Sequence, residues 1–286
     1  MKPYYINEDF LHRFISTALA EDVGDGDHSS LASVTADKEC KANLLVKEDG
    51  ILGGTELAWK IFRQVDPALK VEMMLADGSE IRKGDIVFTV SGLARSILTA
   101  ERLVLNCMQR MSGIATKTRA MVNLVKGTRV QLLDTRKTTP NFRLLEKWAV
   151  LIGGGHNHRI GLYDMIMLKD NHIDMAGGIA EAIIRTKDYL RATNRNLQIE
   201  IETRNLDEVR QVLNTGGVHV IMLDNMDIKT MKEAVALIDG KYKTEASGGI
   251  TEETIAAVAS CGVDYISVGA LTHTVKSLDL SLKAVK

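Results

Sequence analysis

Residues 197–224 read "LQIEIETRNLDEVRQVLNTGGVHVIMLD". The stretch opens on a β-rich run, "LQIEIE" (197–202), crosses an amphipathic segment, and closes on a second run, "VHVIMLD" (218–224). Strand, helix, strand in that order is the parallel βα unit, whose strands are covered on both faces. The same rhythm extends outward in both directions. "VQLLD" (130–134), "DMIMLK" (164–169), "KTEAS" (243–247) and "DYISV" (264–268) are β-rich. Segments between them, such as "MAGGIAEAIIRTKDYLRA" (175–192) and "TEETIAAVASCG" (251–262), are amphipathic. Six such runs in succession predict a closed α/β barrel in preference to an open sheet, which shares the periodicity.

What ends these runs points to function. They finish in Asp134-Thr135-Arg136-Lys137, Lys169, Glu202, Asp224, Ser247-Gly248-Gly249 and Gly269. Strand C-termini of an α/β barrel open on one face, and that face carries the active site. Arg136, Arg159 and Lys169, with His158, form a dense donor set. Arginine forks match carboxylates in pairs of bonds, so a small ligand with more than one carboxylate is expected. In "ASGGI" (246–250) and "SVGALTH" (267–273), glycines stand between a strand and a helix start, a pattern that suits phosphate. Glu202 and Asp224 end adjacent units. Two carboxylates there can hold Mg²⁺ through water, bind ribose hydroxyls or offset a developing positive charge, or they are salt-bridge partners of nearby lysines. "HNH" (156–158) has the form of a zinc pair, but it follows a helix and a glycine turn, not a first strand. His172 and His219 read as structural.

The 286 residues are 45% hydrophobic and 26% charged, with a formal net charge of −1. The apolar share is ample for a core, and near-neutrality argues against a nucleic-acid coat or a polybasic membrane anchor. Cys40, Cys107 and Cys261 are scattered and form no CxxC pair, the usage of a reduced cytoplasmic protein. No secretion signal opens the sequence and no apolar run is long enough for a bilayer. A soluble cytoplasmic protein is therefore expected.

Toward the N-terminus, Asn7 is a predicted N-cap, with Glu8 and Asp9 in the first turn and Phe10, Leu11, Phe14, Ile15, Ala18 and Leu19 on one helical face. The "GDGDHSS" loop (24–30) has no strand leading into it and so is not a dinucleotide fingerprint. Residues 38–94 read as strands and turns, and a helix follows from about Ser96 to Met111. Residues 1–112 are thus an α+β domain and 113–273 the barrel, with 274–286 expected as a helix joining the first domain.

Eight motifs carry a resemblance. "ERLVLNCMQRMSGIAT" (101–116), "DTRKTTP" (134–140), "GGGHNHRIGL" (153–162), "MLKDNHI" (167–173), "IEIET" (199–203), "IMLDNM" (221–226), "ASGGI" and "VGALTHTVKSLDLSLK" (268–283) resemble the quinolinate phosphoribosyltransferase family. One departure is Asn141-Phe142 after "TTP", where the family usually has a glycine. The resemblance spans nearly the whole chain. It implies an N-terminal sandwich-like α+β domain and a C-terminal irregular α/β barrel. It also implies quinolinate and phosphoribosyl pyrophosphate as substrates, Mg²⁺ as cofactor, and a homodimer, with higher oligomers open. Arg136, His158, Arg159 and Lys169 match positions that grip the two carboxylates. Lys137, Glu202, Asp224, Ser247, Gly248, Gly249, Val268, Gly269 and Ala270 match positions around the phosphoribosyl group and the metal, with Thr135 and His273 completing the set. Lys137, Glu202 and Asp224 are the implied catalytic residues, and Glu202 and Asp224 the implied metal residues. Arg102 matches an arginine that reaches the neighbouring subunit's site. Nicotinate phosphoribosyltransferase, which takes a mono-carboxylate, and a molybdate-transport-associated relative are the rival readings on a related scaffold.

Overall fold

The computed structural model describes residues 2–285. In chain order the first elements are α1 (Glu8–Val23), α2 (His28–Ser33), β1 (Glu39–Val46), β2 (Gly50–Ile51), α3 (Thr55–Val65), β3 (Lys70–Met73), β4 (Glu80–Ile81), β5 (Ile86–Leu93) and α4 (Ala94–Leu124). Next come β6 (Gln131–Leu133), α5 (Arg143–Gly153), β7 (Ile166–Leu168), α6 (Asp170–Ala176), α7 (Ile179–Thr193), β8 (Ile199–Thr203) and α8 (Leu206–Thr215). The chain ends with β9 (Val220–Asp224), α9 (Ile228–Ile238), β10 (Lys243–Ser247), α10 (Ile255–Ala259), β11 (Tyr265–Ser267), α11 (Ala270–His273) and β12 (Leu280–Ala284). They form two compact units. Among the described residues one comprises 2–119, 138–154 and 271–285, and the other 120–137 and 155–270. No described helix is long and apolar enough to cross a membrane.

The first unit is built on a four-stranded antiparallel sheet in the order β12-β1-β5-β3. The α1 start is as expected, for Asn7 Oδ1 accepts the Phe10 N–H at 2.8 Å, satisfying one of the helix's open donors. Three expectations change here. Residues 38–94 hold a helix, α3, which buries Leu57, Ala58, Ile61 and Phe62 along one stripe. The ring of Phe62 meets that of Phe88 on β5 edge-on, with centroids 5.6 Å apart. The helix expected to stop at Met111 runs on to Leu124. Gly113 serves packing there and does not end the helix, since a Cβ would lie 2.3 Å from the Lys276 carbonyl. Residues 274–286 are not a helix, because their strand β12 pairs with β1 from Leu280 to Ala284. Leu280 and Leu282 are buried while Ser281 and Lys283 are not, a period of two that a helix cannot satisfy.

The second unit is a six-stranded, all-parallel sheet, β6-β11-β10-β9-β8-β7. All six predicted strands are present in their predicted places. A single parallel bridge, Leu133 to His156, extends the ladder beyond β6. Curvature follows from one contact. His158, two residues past that bridge, reaches Glu200 on β8 at 2.9 Å and Glu245 on β10 at 3.3 Å. In a flat sheet β8 would lie roughly 24 Å from the bridging segment, at about 4.8 Å per strand. The sheet therefore wraps around His158 as an α/β barrel. The wall is irregular on the side of the His156 bridge, where Arg159 Nη1 donates to the Met165 carbonyl at 3.3 Å, just ahead of β7. The amphipathic segment 175–192 is two helices, because Gly177 and Gly178 take positive φ values of 98° and 131° and break the run.

Candidate active site

β8 sets the site by parity. Side chains two apart on a strand share a face, so Glu200 and Glu202 point the same way. Since Glu200 meets His158 within the wrapped sheet, both glutamates face inward. Registers carry this around the wall: Glu202 pairs with Met222 on β9, Met222 with Glu245 on β10, and Asp224 with Ser247. The interior is thus lined by acids on successive levels: Glu200 lowest, Glu202 in register with Glu245, and Asp224 nearest the strand ends.

At the strand ends, Lys169 Nζ donates to Glu202 Oε1 at 2.7 Å, and the Asp170 N–H donates to Glu202 Oε2 at 3.1 Å. The salt-bridge reading of Glu202 therefore holds in this structure. Asp224 keeps a neutral neighbour, Asn225 Nδ2, at 2.8 Å. Burial pushes the Asp224 carboxyl above its usual range, and the charges of Glu202 and Asp170 add to the rise while Lys169 opposes it. Carboxylates that crowd in this way favour a cation between them. Oxygen-only donors suit Mg²⁺, so Glu202 and Asp224 fit the implied metal.

Opposite in charge is the group from β6 and the His156 bridge. Arg159 is buried and Arg136 half-buried. Burial, then the positive charge of Arg136, holds the Arg159 guanidinium below its ordinary range. Two arginines held close enough to disfavour each other's charge are prepared for an anion. Lys137 is exposed, and its N–H donates to Thr135 Oγ1 at 3.1 Å. Asp134, fully buried at the end of β6, accepts the His158 N–H at 2.9 Å and Asn157 Nδ2 at 2.6 Å, fixing the "HNHR" loop against the strand.

The glycine turns divide. After β11, Val268 N–H donates to the Leu133 carbonyl at 3.0 Å, and α11 begins at Ala270 directly after Gly269. After β10, the expected helix start is delayed to Ile255. A turn closed by Thr251 N–H to Thr254 Oγ1, at 2.9 Å, separates it from Gly248 and Gly249. Gly248 has φ 98°, and a Cβ there would lie 2.2 Å from Asn225 Oδ1, so only glycine lets the β9 and β10 ends close up. Ser247 joins the same contact, its carbonyl accepting the Asn225 N–H at 2.9 Å.

Arg102 and His273 belong to the first unit. Arg102 is exposed on α4, and its side chain makes no hydrogen bond or ion pair among the described residues. His273 is exposed, with Nδ1 2.6 Å from Thr274 Oγ1. His172 Nδ1 accepts the Lys169 N–H and His219 Nδ1 the Ile199 N–H, so both are structural, as expected.

Two residues that no sequence motif singled out, Glu200 and Glu245, hold the deepest part of the site. With His158 they form the one cluster of metal-ligand type among the described residues. Its bonding is that of a proton network. The Arg159 N–H points at His158 Nδ1 at 2.7 Å, and Nε2 faces the carboxylates. Burial alone would make this imidazole lose its proton early, but Glu200 and Glu245 overrule it and push the group up to about 10. Burial and then Glu245 raise Glu200 to about 7. Glu200 Oε1 and Glu245 Oε1, both buried, have no hydrogen-bond partner among the described residues.

Comparison with known proteins fits this geometry. Residues 114–283 match the family described as quinolinate phosphoribosyl transferase, C-terminal domain, and residues 27–112 match its N-terminal domain. The chain belongs to the quinolinate phosphoribosyltransferase family. It is 50% identical to the chloroplastic nicotinate-nucleotide pyrophosphorylase [carboxylating] of Oryza sativa subsp. japonica, over 96% of this chain and 77% of that protein. Identity to the probable nicotinate-nucleotide pyrophosphorylase [carboxylating] of Bacillus subtilis is 41%, over 95% and 92% of the two chains. The crystal structure of NadC from Streptococcus pyogenes superposes with a TM-score of 0.92 at 38% identity, covering 98% of this chain and 99% of that one. The family's two-part architecture, a small antiparallel-sheet domain and a parallel-sheet α/β domain, is the one described above.

Proposed function

We propose that this protein is a decarboxylating pentosyltransferase of NAD biosynthesis. It transfers the phosphoribosyl group of phosphoribosyl pyrophosphate to quinolinate and yields nicotinate mononucleotide, pyrophosphate and CO₂. The observation that carries the reading is the buried Arg159, held below its ordinary range beside Arg136 at the strand ends of a chain in this family. A dicarboxylate offsets the like charge of the two arginines and suits paired bonds from both. A mono-carboxylate such as nicotinate brings one such group where quinolinate brings two.

The chemistry follows from charge. The pyridine nitrogen attacks the ribose anomeric carbon, and the bond to pyrophosphate breaks with its electron pair. Glu202 and Asp224 are the residues we assign to the ribose, where positive charge develops, and carboxylates there would stabilise that state more than the ground state. We assign Lys137, exposed beside Thr135, to the departing phosphates. The glycine turns at Gly248–Gly249 and Gly269 offer bare backbone to the phosphoribosyl group. Once the nitrogen is quaternary, the ring itself stabilises the electron pair left at C2 as CO₂ departs, and a proton then replaces the carboxylate. Mg²⁺ held by Glu202 and Asp224, through water, would supply positive charge to the pyrophosphate.

We propose further that the enzyme is a homodimer in which Arg102 completes the neighbouring site, an assignment supported by its exposure and by its lack of any partner on its own chain among the described residues. The three free thiols suit a reducing compartment, the cytoplasm being the simplest. Mixing protein, Mg²⁺, quinolinate and phosphoribosyl pyrophosphate should give nicotinate mononucleotide and CO₂ in equal amounts. Turnover of nicotinate in preference to quinolinate would overturn the assignment. For the dimer, Arg102→Ala and Lys137→Ala homodimers should each be nearly inactive. Subunit exchange between them should restore up to about half of parent activity per heterodimer, because two-fold symmetry leaves one site built from wild-type parts. No recovery after proven exchange would mean that Arg102 acts within its own chain.

A further inference from the structure

The two glutamates inside the barrel have no part in the reaction as derived above, yet they are among its most buried groups, each 1% exposed. We infer that Glu200 and Glu245 are positioning residues for quinolinate, acting through His158 to fix Arg159. The inference rests on the phosphoribosyl-transfer reading of the site.

The contacts form an unbroken chain. Glu200 Oε2 lies 2.9 Å and Glu245 Oε2 3.3 Å from His158 Nε2, from two different strands, so the ring can neither swing nor flip. Asp134 holds the same residue by its backbone N–H at 2.9 Å. The other face of the ring, through Nδ1, takes the Arg159 N–H at 2.7 Å, which sets the backbone from which the guanidinium extends. Arg159 then has its far end tied to the Met165 carbonyl at 3.3 Å. Both ring nitrogens of His158 are engaged in this clamp, so its role is to orient Arg159, and the grip on the substrate comes from the arginine. The clamp works by reach. A strand-borne carboxylate must place one oxygen on Nε2, and its neighbour on the other strand must do the same. Catalytic and binding groups tolerate little displacement, since an error of about 1 Å can cost a hundred-fold.

Reach and charge can be separated by conservative variants that leave the barrel folded. Glu→Asp keeps the charge but draws the oxygen back by one methylene. Glu→Gln loses the charge but leaves an acceptor oxygen in place. We expect Glu200→Asp and Glu245→Asp each to raise the KM for quinolinate about ten-fold while the KM for phosphoribosyl pyrophosphate and kcat move less than about two-fold. Glu200→Gln and Glu245→Gln should hold all three parameters within about two-fold of the parent. Urea denaturation of each variant reports that the fold is intact. The reverse pattern, Gln harmful and Asp tolerated, would show that the pair acts by charge and would overturn positioning. Equal shifts in both KM values, or no shift in any variant, would overturn it as well. A parent enzyme that fails to turn over quinolinate defeats the underlying reading instead, so the two failures remain distinct.

Discussion

Two ion pairs line the same barrel at different heights, and their lengths are nearly equal. His158 meets Glu200 at 2.9 Å deep among the strands, and Lys169 meets Glu202 at 2.7 Å near their C-terminal ends. The deep pair is 7% and 1% exposed, whereas the Lys169 side chain is 48% exposed. Length alone would rate the two alike, but burial separates them. A deep pair cannot be exchanged for water, so it fixes geometry. A lysine half in water can leave its glutamate at little cost, so the outer pair can open when a ligand carboxylate offers a better partner. One β8 strand thus carries a glutamate paired deep in the wall and another paired with a half-exposed lysine, two residues apart.

The sharpest way to break this comparison is to remove the shared partner of the deep acids. His158→Ala would leave Glu200 and Glu245 facing each other without the Nε2 proton. Breaking a buried pair on one side costs about 3–5 kcal/mol, which should appear as a lower urea midpoint with an unchanged slope. A loss below about 1 kcal/mol would place the triad with ordinary surface pairs and erase the distinction.

Next in size are the arginines above the triad. Arg136→Ala or Arg159→Ala should weaken quinolinate binding by about 2–5 kcal/mol, because a ligand charge is left without its fork. Thermal melting should show that folding survives. If either variant bound quinolinate as well as the parent, the anion site would have to be moved elsewhere.

For the outer acids the effect should fall on turnover. Glu202→Gln and Asp224→Asn are expected to lower kcat about ten- to a hundred-fold with a smaller change in the KM for quinolinate, the pattern of an interaction made in the transition state. A change confined to quinolinate KM would contradict their placement beside the ribose.

How much of this is legible in the sequence depends on which face of an element carries its signal. Six parallel strands are readable because runs such as "VHVIMLD" are apolar on both faces. Helix α3 hides in a stretch that reads as strands, because its short apolar stripe sits between turn-rich segments. The "SLDLSLK" end is a strand although a helix is expected there; its leucines alternate, and pairing with β1 decides the matter. Charges at strand ends are detectable because polar residues there stand out against apolar runs. Glu200 and Glu245 escape notice because a carboxylate inside a strand ordinarily reads as solvent-facing. A signal exists nonetheless. If Glu202 faces the interior, parity requires Glu200 to face it too, and Ser247 makes the same demand of Glu245. What the sequence does not supply is that one histidine, arriving from a different part of the chain, meets both.

The smallest expected effect tests the outer half of the comparison directly. Lys169→Met removes the cation of the 2.7 Å pair but keeps the length of the side chain. Glu202, itself buried, then retains the Asp170 N–H at 3.1 Å as a partner for its charge. Because the lysine end of the pair is half in water, stability should change by no more than about 1 kcal/mol. Quinolinate affinity should fall even so, since the lysine released from Glu202 is a cation offered to the ligand. A stability loss equal to that of His158→Ala would mean that the outer pair supports the fold as strongly as the inner one, and that Lys169 is not free to change partners.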